Sequence, residues 1–256
     1  MEFISHIHSD IGIKKSVNQD SALIMEAKTD YDRVMFCVLC DGMGGLANGE
    51  LASATVIRAF SEWFEREFPS MFYNGFDSNI LQRKWSELIF EQNVKIMSHA
   101  RTLGSNMGTT VVSLLISGGN YYIMNIGDSR AYLCTGQGMT QITEDQTFVN
   151  REIKRGNMTP EQAKTDPRRS VLLQCVGASQ FIEPDFFMGN ANKGEVFMLC
   201  SDGFRHEIAF EEIEKAFRPD NLNSEQDIEK AEFELTELNK QRLENDNITV
   251  LVVKSV

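Results

Sequence analysis

Basic residues are in short supply in this sequence of 256 residues. Lys and Arg number 25 against 37 Asp and Glu, which gives a formal net charge of −12 at pH 7. An acidic chain with no block of Lys or Arg is poorly suited to binding the phosphates of nucleic acids. We therefore expect no nucleic-acid partner. The surplus acids either keep the protein soluble or hold cations.

Proline and long apolar runs are also scarce. Five prolines, and no linker rich in Pro, Ser or Gly, favour a single domain over residues 1–256. No apolar run approaches the ~20 residues that span a bilayer, and residues 1–10 have neither the cationic start nor the apolar stretch of a signal peptide. We expect a cytoplasmic protein with no membrane partner. Five cysteines, an odd number and mostly in apolar runs, predict buried free thiols in a reducing compartment.

Several familiar catalytic and metal-binding motifs are missing. Residues 42–45 are rich in glycine but lack the Gly-Lys-Ser/Thr ending of a P-loop, and the G-x-S-x-G motif of serine hydrolases is absent. No cysteine is followed six positions later by the Arg of a cysteine-based phosphatase. Cys37 and Cys40 have C-x-x-C spacing, but no second pair completes a zinc site. In one strand their sulfurs would point to opposite faces.

The sequence does contain several short apolar runs that end at glycine. Successive runs joined by turns of two or three residues predict an antiparallel meander, because parallel strands would need long crossovers. Two later runs predict further buried strands. The meander comprises runs at 109–117, 121–126 and 131–134; a separate run lies at 34–39, and the later ones at 196–200 and 248–253.

Apolar residues at helical spacing predict three longer helices, over 57–68, 81–100 and 228–238. A fourth, short helix is predicted to begin at Thr159, where a capping residue is followed by proline and then by a glutamine at the third position. The alternation of strand groups and helix groups predicts an α+β protein with helices packed on antiparallel sheets.

Aspartates stand at the ends of the predicted strands. Asp41, Asp128 and Asp202 follow apolar runs and each has a neighbouring glycine, whereas Asp20 and Asp246 precede apolar runs. Any one Asp-Gly pair is typical of a simple turn. Five acids gathered at one sheet edge, however, would repel one another unless a cation lay between them. A ligand set of oxygen atoms alone favours Mg²⁺ or Mn²⁺.

These residues belong to six short motifs that resemble, in order and spacing, the metal-dependent protein phosphatases of the type 2C class in their compact bacterial form. The resemblance covers about residues 9–253. It implies an αββα sandwich, in which two antiparallel sheets are flanked by pairs of helices, with a flap subdomain at 147–174. The motifs are Asn18-Gln19-Asp20, Asp41-Gly42-Met43-Gly44-Gly45, Gly108-Thr109-Thr110, Ile126-Gly127-Asp128-Ser129-Arg130-Ala131-Tyr132, Ser201-Asp202-Gly203 and Asp246-Asn247-Ile248-Thr249.

The resemblance implies two Mn²⁺ or Mg²⁺ ions at the core of the site. Asp41 would bridge them, and the carbonyl group of Gly42 would bind the second ion. Asp202 and Asp246 would complete the ligands of the first ion, while Asp20 would act partly through bound water. The water between two such ions would be the nucleophile, so that no phosphoenzyme is required.

Other positions either add to this site or depart from the family pattern. Asp128 matches the acid that holds a third, weaker metal ion together with Asp202. Lys15 stands where the family usually has an arginine that anchors the phosphate, and lysine lacks the planar fork of arginine. Gln19 replaces a metal-binding glutamate of many relatives, and Met43 replaces a histidine that some eukaryotic relatives offer as a general acid.

The implied activity is hydrolysis of phosphoserine and phosphothreonine in phosphorylated proteins, the products of a Ser/Thr kinase, by a monomeric enzyme. Two alternatives stay open. One is a phosphoprotein-binding regulatory module with weak or lost catalysis, which the changes at Lys15 and Gln19 would permit. The other is a metal phosphatase of small phosphate esters. The basic residues of 147–174 could contact acidic phosphoproteins or lie on a solvated surface.

Overall fold

Two antiparallel β-sheets form the centre of the computed structural model, which describes residues 1–28, 32–44, 48–73 and 76–256. Gly45, the last residue of the second motif, lies outside these ranges. The first sheet has the strand order β1-β11-β10-β7-β8. Its strands are β1 (Phe3–Asp10), β7 (Arg130–Thr135), β8 (Gly138–Gln141), β10 (Val196–Cys200) and β11 (Ile248–Ser255).

The second sheet has the order β2-β3-β5-β6-β9, and a short strand, β4, pairs with the end of β3. Neighbouring strands in both sheets pair in the antiparallel direction. The strands are β2 (Asp20–Lys28), β3 (Arg33–Gly44), β4 (Met107–Thr109), β5 (Val111–Ser117), β6 (Asn120–Ile126) and β9 (Asp185–Asn190).

Helices cover the outer face of each sheet and complete the αββα sandwich that the sequence predicts. The long helices α1 and α3 pack on the second sheet, and α7 and α8 pack on the first. None of the helices in the described ranges has the length and apolar character needed to cross a membrane. The helices are α1 (Gly49–Arg66), α2 (Phe68–Tyr73), α3 (Ser78–Leu103), α4 (Phe148–Lys154), α5 (Pro160–Thr165), α6 (Asp202–Arg205), α7 (Phe210–Ala216) and α8 (Glu225–Gln241).

Successive side chains of β3 point alternately into two of the three buried apolar clusters. Phe36 and Cys40 face the cluster beneath α1 and α3, whereas Cys37 and Leu39 face the cluster between the sheets. The two cysteines therefore lie on opposite faces, as the spacing predicts. All five cysteines of the chain are free and buried.

The predicted helices are present, with one difference in extent. The helix predicted over 57–68 is two helices, because α1 ends at Arg66 and Phe68 begins α2. The rings of Phe64 and Phe68 stack with their centroids 5.0 Å apart across the junction. Thr159 caps α5 in a capping box, with its hydroxyl accepting from the backbone N–H of Gln162 and the Gln162 side chain accepting from Thr159.

The predicted meander is wrong at its last turn. β5 and β6 pair as expected, but β7 pairs with β8 and β10 in the other sheet. The chain crosses between the sheets at Gly127, whose φ of +99° favours glycine and whose N–H donates to Oε1 of Gln146 at 2.8 Å. A glycine between two apolar runs does not reveal whether the runs pair. The run predicted over 109–117 is also interrupted, at Thr110.

Candidate active site

A cavity of about 240 Å³ lies where β3, α6 and the segment before β11 approach one another. Four aspartates line it, and each comes from a different part of the chain: Asp41 from β3, Asp128 from the crossing after β6, Asp202 from α6 and Asp246 from the segment before β11. Folding therefore brings together four acids that are up to about two hundred residues apart in sequence. The other lining residues are Lys15, Gln19, Gly42, Met43, Gly44, Ser170 and Leu172.

Asp20 lies behind this cavity, opposite Asp41 in the register of β2 and β3. It is 8% exposed, and both of its carboxylate oxygens are buried without a hydrogen-bond partner in the described chain. Burial raises the pKa of Asp20 to about 7; the nearby charges of Asp202 and Asp246 add to the shift, and nearby hydroxyl groups offset part of it. A buried acid that no donor reaches within hydrogen-bond distance is the kind of group that a cation would satisfy.

Burial and the neighbouring carboxylates also shift the pKa of Asp41. Burial raises its pKa well above the ordinary value, and the charges of Asp20, Asp202, Asp128 and Asp246 raise it further. Its backbone is fixed by the end of β4 and by the residue between β4 and β5, because its carbonyl accepts from Thr109 and its N–H donates to Oγ1 of Thr110. The carboxylates are thus held together despite their mutual repulsion.

Gly42 has no room for a side chain. A Cβ atom there would lie 2.3 Å from the carbonyl oxygen of Gly49 and 2.4 Å from that of Gln19. The end of β3 therefore runs between the start of α1 and the segment before β2. This close approach places the backbone of Gly42 on the cavity wall, next to Asp41.

Gly203 has the corresponding effect on the other side of the site. A Cβ atom on Gly203 would lie 2.2 Å from the carbonyl oxygen of Asn247 and 3.2 Å from Cβ of Asp246. Glycine at this position lets α6 contact the segment before β11. Asp202, which begins α6, is therefore held close to Asp246.

Asn247 connects this part of the site to the segment that carries Lys15 and Asp20. Its amide group donates to the carbonyl oxygens of Ile11 and Val17, at 2.9 and 3.2 Å, and its Oδ1 accepts from the N–H of Gln19 at 3.0 Å. The side chain of Asn247 is 2% exposed. It belongs to the sixth motif, but nothing in the sequence indicated this positioning role.

Lys15 reaches the acidic cluster. Its Nζ lies 2.7 Å from Oδ1 of Asp246. Partial burial lowers the pKa of Lys15, but the contact with Asp246 and the charges of Asp41 and Asp202 raise it by more. A permanent positive charge at the rim of the cavity can receive a phosphate group.

Several charged residues beside the site were not singled out from the sequence. Oδ1 and Oδ2 of Asp145 accept from Arg130, both at 2.7 Å, and Nη2 of Arg205 lies 3.6 Å from Oδ2 of Asp128. Nε2 of His206 lies 3.5 Å from Oδ2 of Asp202. These residues are scattered between 128 and 206, and only the fold shows that they meet. Gln146 supports the crossing at Gly127, because its Oε1 accepts from the N–H of Gly127.

The donor set fits a hard divalent cation by its chemistry. The side chains that converge are carboxylates, with no histidine or cysteine on the cavity wall, and Asp20 offers two buried, unpartnered oxygens. Within the described ranges, no three such acids are already arranged closely enough around one point to form a complete metal cage. We infer that a bound cation would draw the carboxylates together against their repulsion.

Comparison with known proteins gives a consistent result. The family model described as protein phosphatase 2C matches residues 5–242. The serine/threonine phosphatase stp of Listeria innocua is 29% identical over 252 residues, which is 98% of this chain and 95% of that protein. Serine/threonine phosphatase Stp1 from Staphylococcus aureus superposes with a TM-score of 0.85 at 29% identity, covering 100% of this chain and 96% of that chain.

One similar structure contains metal. The catalytic domain of serine threonine protein phosphatase PstP, solved in complex with two manganese ions, superposes with a TM-score of 0.79 at 30% identity. The match covers 98% of this chain and 97% of that chain.

Proposed function

This chain belongs to the protein phosphatase 2C family, and we propose that it is a metal-dependent phosphatase that hydrolyses phosphoserine and phosphothreonine in proteins. One observation carries the proposal: four aspartates from four separate segments converge on one cavity, with the buried Asp20 behind them. A fold that only needed stability would not gather like charges in a poorly hydrated place. The names of the similar proteins, all serine/threonine phosphatases, support the same activity.

We assign the core metal ions to Asp41, the carbonyl group of Gly42, Asp202 and Asp246, with Asp20 acting from behind. Bound Mn²⁺ or Mg²⁺ would supply an activated water near neutral pH and neutralise charge on the phosphoryl oxygens. The aspartates must lose their protons before they bind a cation. The raised pKa values of Asp20 and Asp41 mean that protons and cations compete for the site.

Lys15 is assigned to the incoming phosphate. Its ammonium group is paired with Asp246, so it stands at the point where a phosphate would approach the aspartates. A lysine neutralises phosphate charge as a point charge and does not orient it as an arginine fork does. We therefore assign Lys15 to binding more than to alignment.

Hydrolysis without a phosphocysteine is supported by the state of the thiols. Burial raises the pKa of Cys134 to about 11 and of Cys200 to about 12, and it raises that of Cys37 and Cys40 as well. Thiols that stay protonated near neutral pH are poor nucleophiles. Among the residues that the structure describes, none of those lining the cavity is a cysteine.

Residues 147–174 are proposed to form a flap over the substrate within a single catalytic domain, 1–256. Ser170 and Leu172 of this segment line the cavity, and the guanidinium group of Arg168 lies over the ring of Phe148 at 4.1 Å. Exposed basic residues here would meet acidic phosphoproteins produced by a Ser/Thr kinase. We further propose that the chain acts as a monomer in the cytoplasm, where its five free thiols would stay reduced.

The test is release of phosphate from phosphothreonine peptides in the presence of Mn²⁺. We expect Asp202→Asn to reduce kcat/KM by roughly a hundredfold or more, because one metal ligand is lost. Asp220→Asn is a matched control, since Asp220 is exposed and lies outside the cavity. Full activity in EDTA, or in Asp202→Asn, would rule out the proposed mechanism.

The same assay separates the proposal from its alternatives. Tight phosphopeptide binding without turnover at saturating Mn²⁺ would identify a regulatory binding module. A kcat/KM that is much higher for small aryl phosphates than for phosphopeptides would identify a phosphatase of small esters.

A further inference from the structure

Arg205 is directed at Asp128 from the end of α6. Its Nη2 donates to the backbone carbonyl of Asp128 at 3.0 Å and lies 3.6 Å from Oδ2 of the same residue. The side chains are 12% and 11% exposed, so the pair is shielded from water. A guanidinium group remains charged in this environment, and it supplies the countercharge that a buried carboxylate needs.

A second ion pair fixes this guanidinium. Nη2 of Arg205 also lies 3.7 Å from Oδ2 of Asp145, and Asp145 accepts two hydrogen bonds from Arg130 at 2.7 Å. Burial raises the pKa of Asp145, but the hydrogen bonds from Arg130 and the charge of Arg205 bring it below the ordinary value. Asp145 is therefore a stable anion between two arginines, and it holds Arg205 against Asp128.

The four side chains form a row of ion pairs with alternating charge. Arg130, Asp145, Arg205 and Asp128 follow one another with two positive and two negative groups. A divalent cation placed at Asp128 would stand within a few ångströms of the Arg205 guanidinium, and like charges at that distance repel strongly in a poorly hydrated place. The expected third metal ion does not fit these residues.

We propose that the guanidinium of Arg205 takes the place of a third cation beside Asp128, so that this enzyme is a two-metal phosphatase. The inference rests on the proposed function, because it concerns the same metal centre. Asp128 is then a partner of Arg205 and not a metal ligand. The arrangement also keeps the crossing at Gly127 attached to α6, since Arg205 bonds the backbone at Asp128.

The number of bound Mn²⁺ ions, measured by equilibrium dialysis and elemental analysis at millimolar Mn²⁺, tests the proposal. We expect about two ions per chain in the wild type and about three in Arg205→Gln, because the glutamine removes the competing charge. The extra ion should be lost in the double variant Arg205→Gln/Asp128→Asn. Arg205→Lys is the matched control, because it keeps a positive charge and should bind about two ions.

Two results would overturn the inference. One is a third ion in the wild type that Asp128→Asn removes, and the other is a folded Arg205→Gln that still binds only about two ions. Circular dichroism would show whether Arg205→Gln folds. If it does not, the comparison of the wild type with Asp128→Asn tests the proposal, and we expect both to bind the same number of Mn²⁺ ions per chain. A wild type that binds no Mn²⁺ would instead overturn the proposed function.

Discussion

The clustered aspartates destabilise the metal-free site and also favour the binding of a divalent cation. Burial raises the pKa of Asp20 to about 7 and that of Asp128 to about 6, and the charge of Asp202 adds to both shifts. Each shift measures how poorly the site accommodates another negative charge. The same poor hydration strengthens the attraction for a divalent cation, so the instability of the empty site and its metal affinity have one cause.

Lys15 is the position where a single substitution should improve the proposed reaction. We expect Lys15→Arg to lower KM for phosphothreonine peptides by about three- to tenfold, because the arginine fork can make two hydrogen bonds to phosphate. Steady-state kinetics with Mn²⁺ would measure it, with kcat changing much less. Lys14→Arg is the control, since Lys14 is exposed and absent from the cavity wall. An unchanged KM would show that Lys15 does not touch the phosphate.

The contact between α8 and β1 includes a buried polar pair. Glu232 of α8 is 0% exposed, and its Oε2 lies 2.5 Å from Nδ1 of His6 on β1, while Oε1 has no partner in the described chain. Burial, and to a lesser extent the charge of Glu229, raises the pKa of Glu232 to about 9. Folding therefore favours the protonated form of this carboxyl group, which contacts His6.

This raised pKa makes the stability of the helix contact depend on pH. An acid with a raised pKa in the folded state stabilises the fold fully below its unfolded pKa of about 4.5, and this contribution is lost as pH rises toward about 9. We expect Glu232→Gln to be more stable than the wild type at pH 8 by about 1–3 kcal/mol, and therefore to unfold at a higher temperature, with a flatter dependence on pH.

Thermal melts between pH 5.5 and 8.5 would measure this difference. Glu234→Gln, an exposed change on the same helix, is the control and should leave the pH dependence nearly unchanged. A wild-type melting temperature that does not fall relative to Glu232→Gln with rising pH would contradict the assignment.

For the molecule as a whole, metal binding and folding should be linked. Two divalent cations would offset part of the formal charge of −12, and they would do so where the acids are closest. A ligand that binds only the folded state stabilises it by mass action. The sandwich therefore gains stability from the same ions that we propose for catalysis.

We expect Mn²⁺ at about 100 times its Kd to stabilise the protein by about 2.7 kcal/mol, which corresponds to a rise in Tm of about 5–10 °C. At one fixed Mn²⁺ concentration the rise should be larger at pH 8 than at pH 5.5, because protons compete with Mn²⁺ for Asp20 at the lower pH. The carboxyl group of Asp20 also stabilises the metal-free fold while it is protonated, and this contribution is lost as pH rises through about 7.

Differential scanning fluorimetry with Mn²⁺ and with EDTA would measure both effects. Asp202→Asn should reduce the Mn²⁺-dependent rise, whereas Asp220→Asn should retain it. A melting temperature that millimolar Mn²⁺ leaves unchanged would argue against the cluster as a cation site.

Local patterns in the sequence predicted much of this protein. The helical spacing of apolar residues gave α3 and α8, the capping box gave the start of α5, and the strand spacing put Cys37 and Cys40 on opposite faces. These features follow from backbone geometry over a few residues, which any sequence displays directly. The motifs with aspartate at strand ends likewise pointed to one acidic edge.

Only the tertiary structure decided which distant parts meet. It separated β6 from β7, although their sequence resembles a hairpin, because pairing depends on the competing strands β9 and β10. It also brought Arg205 to Asp128 across 77 residues. Sequence periodicity carries no information about such contacts, since they depend on how complete layers pack. The sequence thus determined which residues form helices and strands and where the aspartates stand along the chain. Packing determined which charged groups lie next to those aspartates.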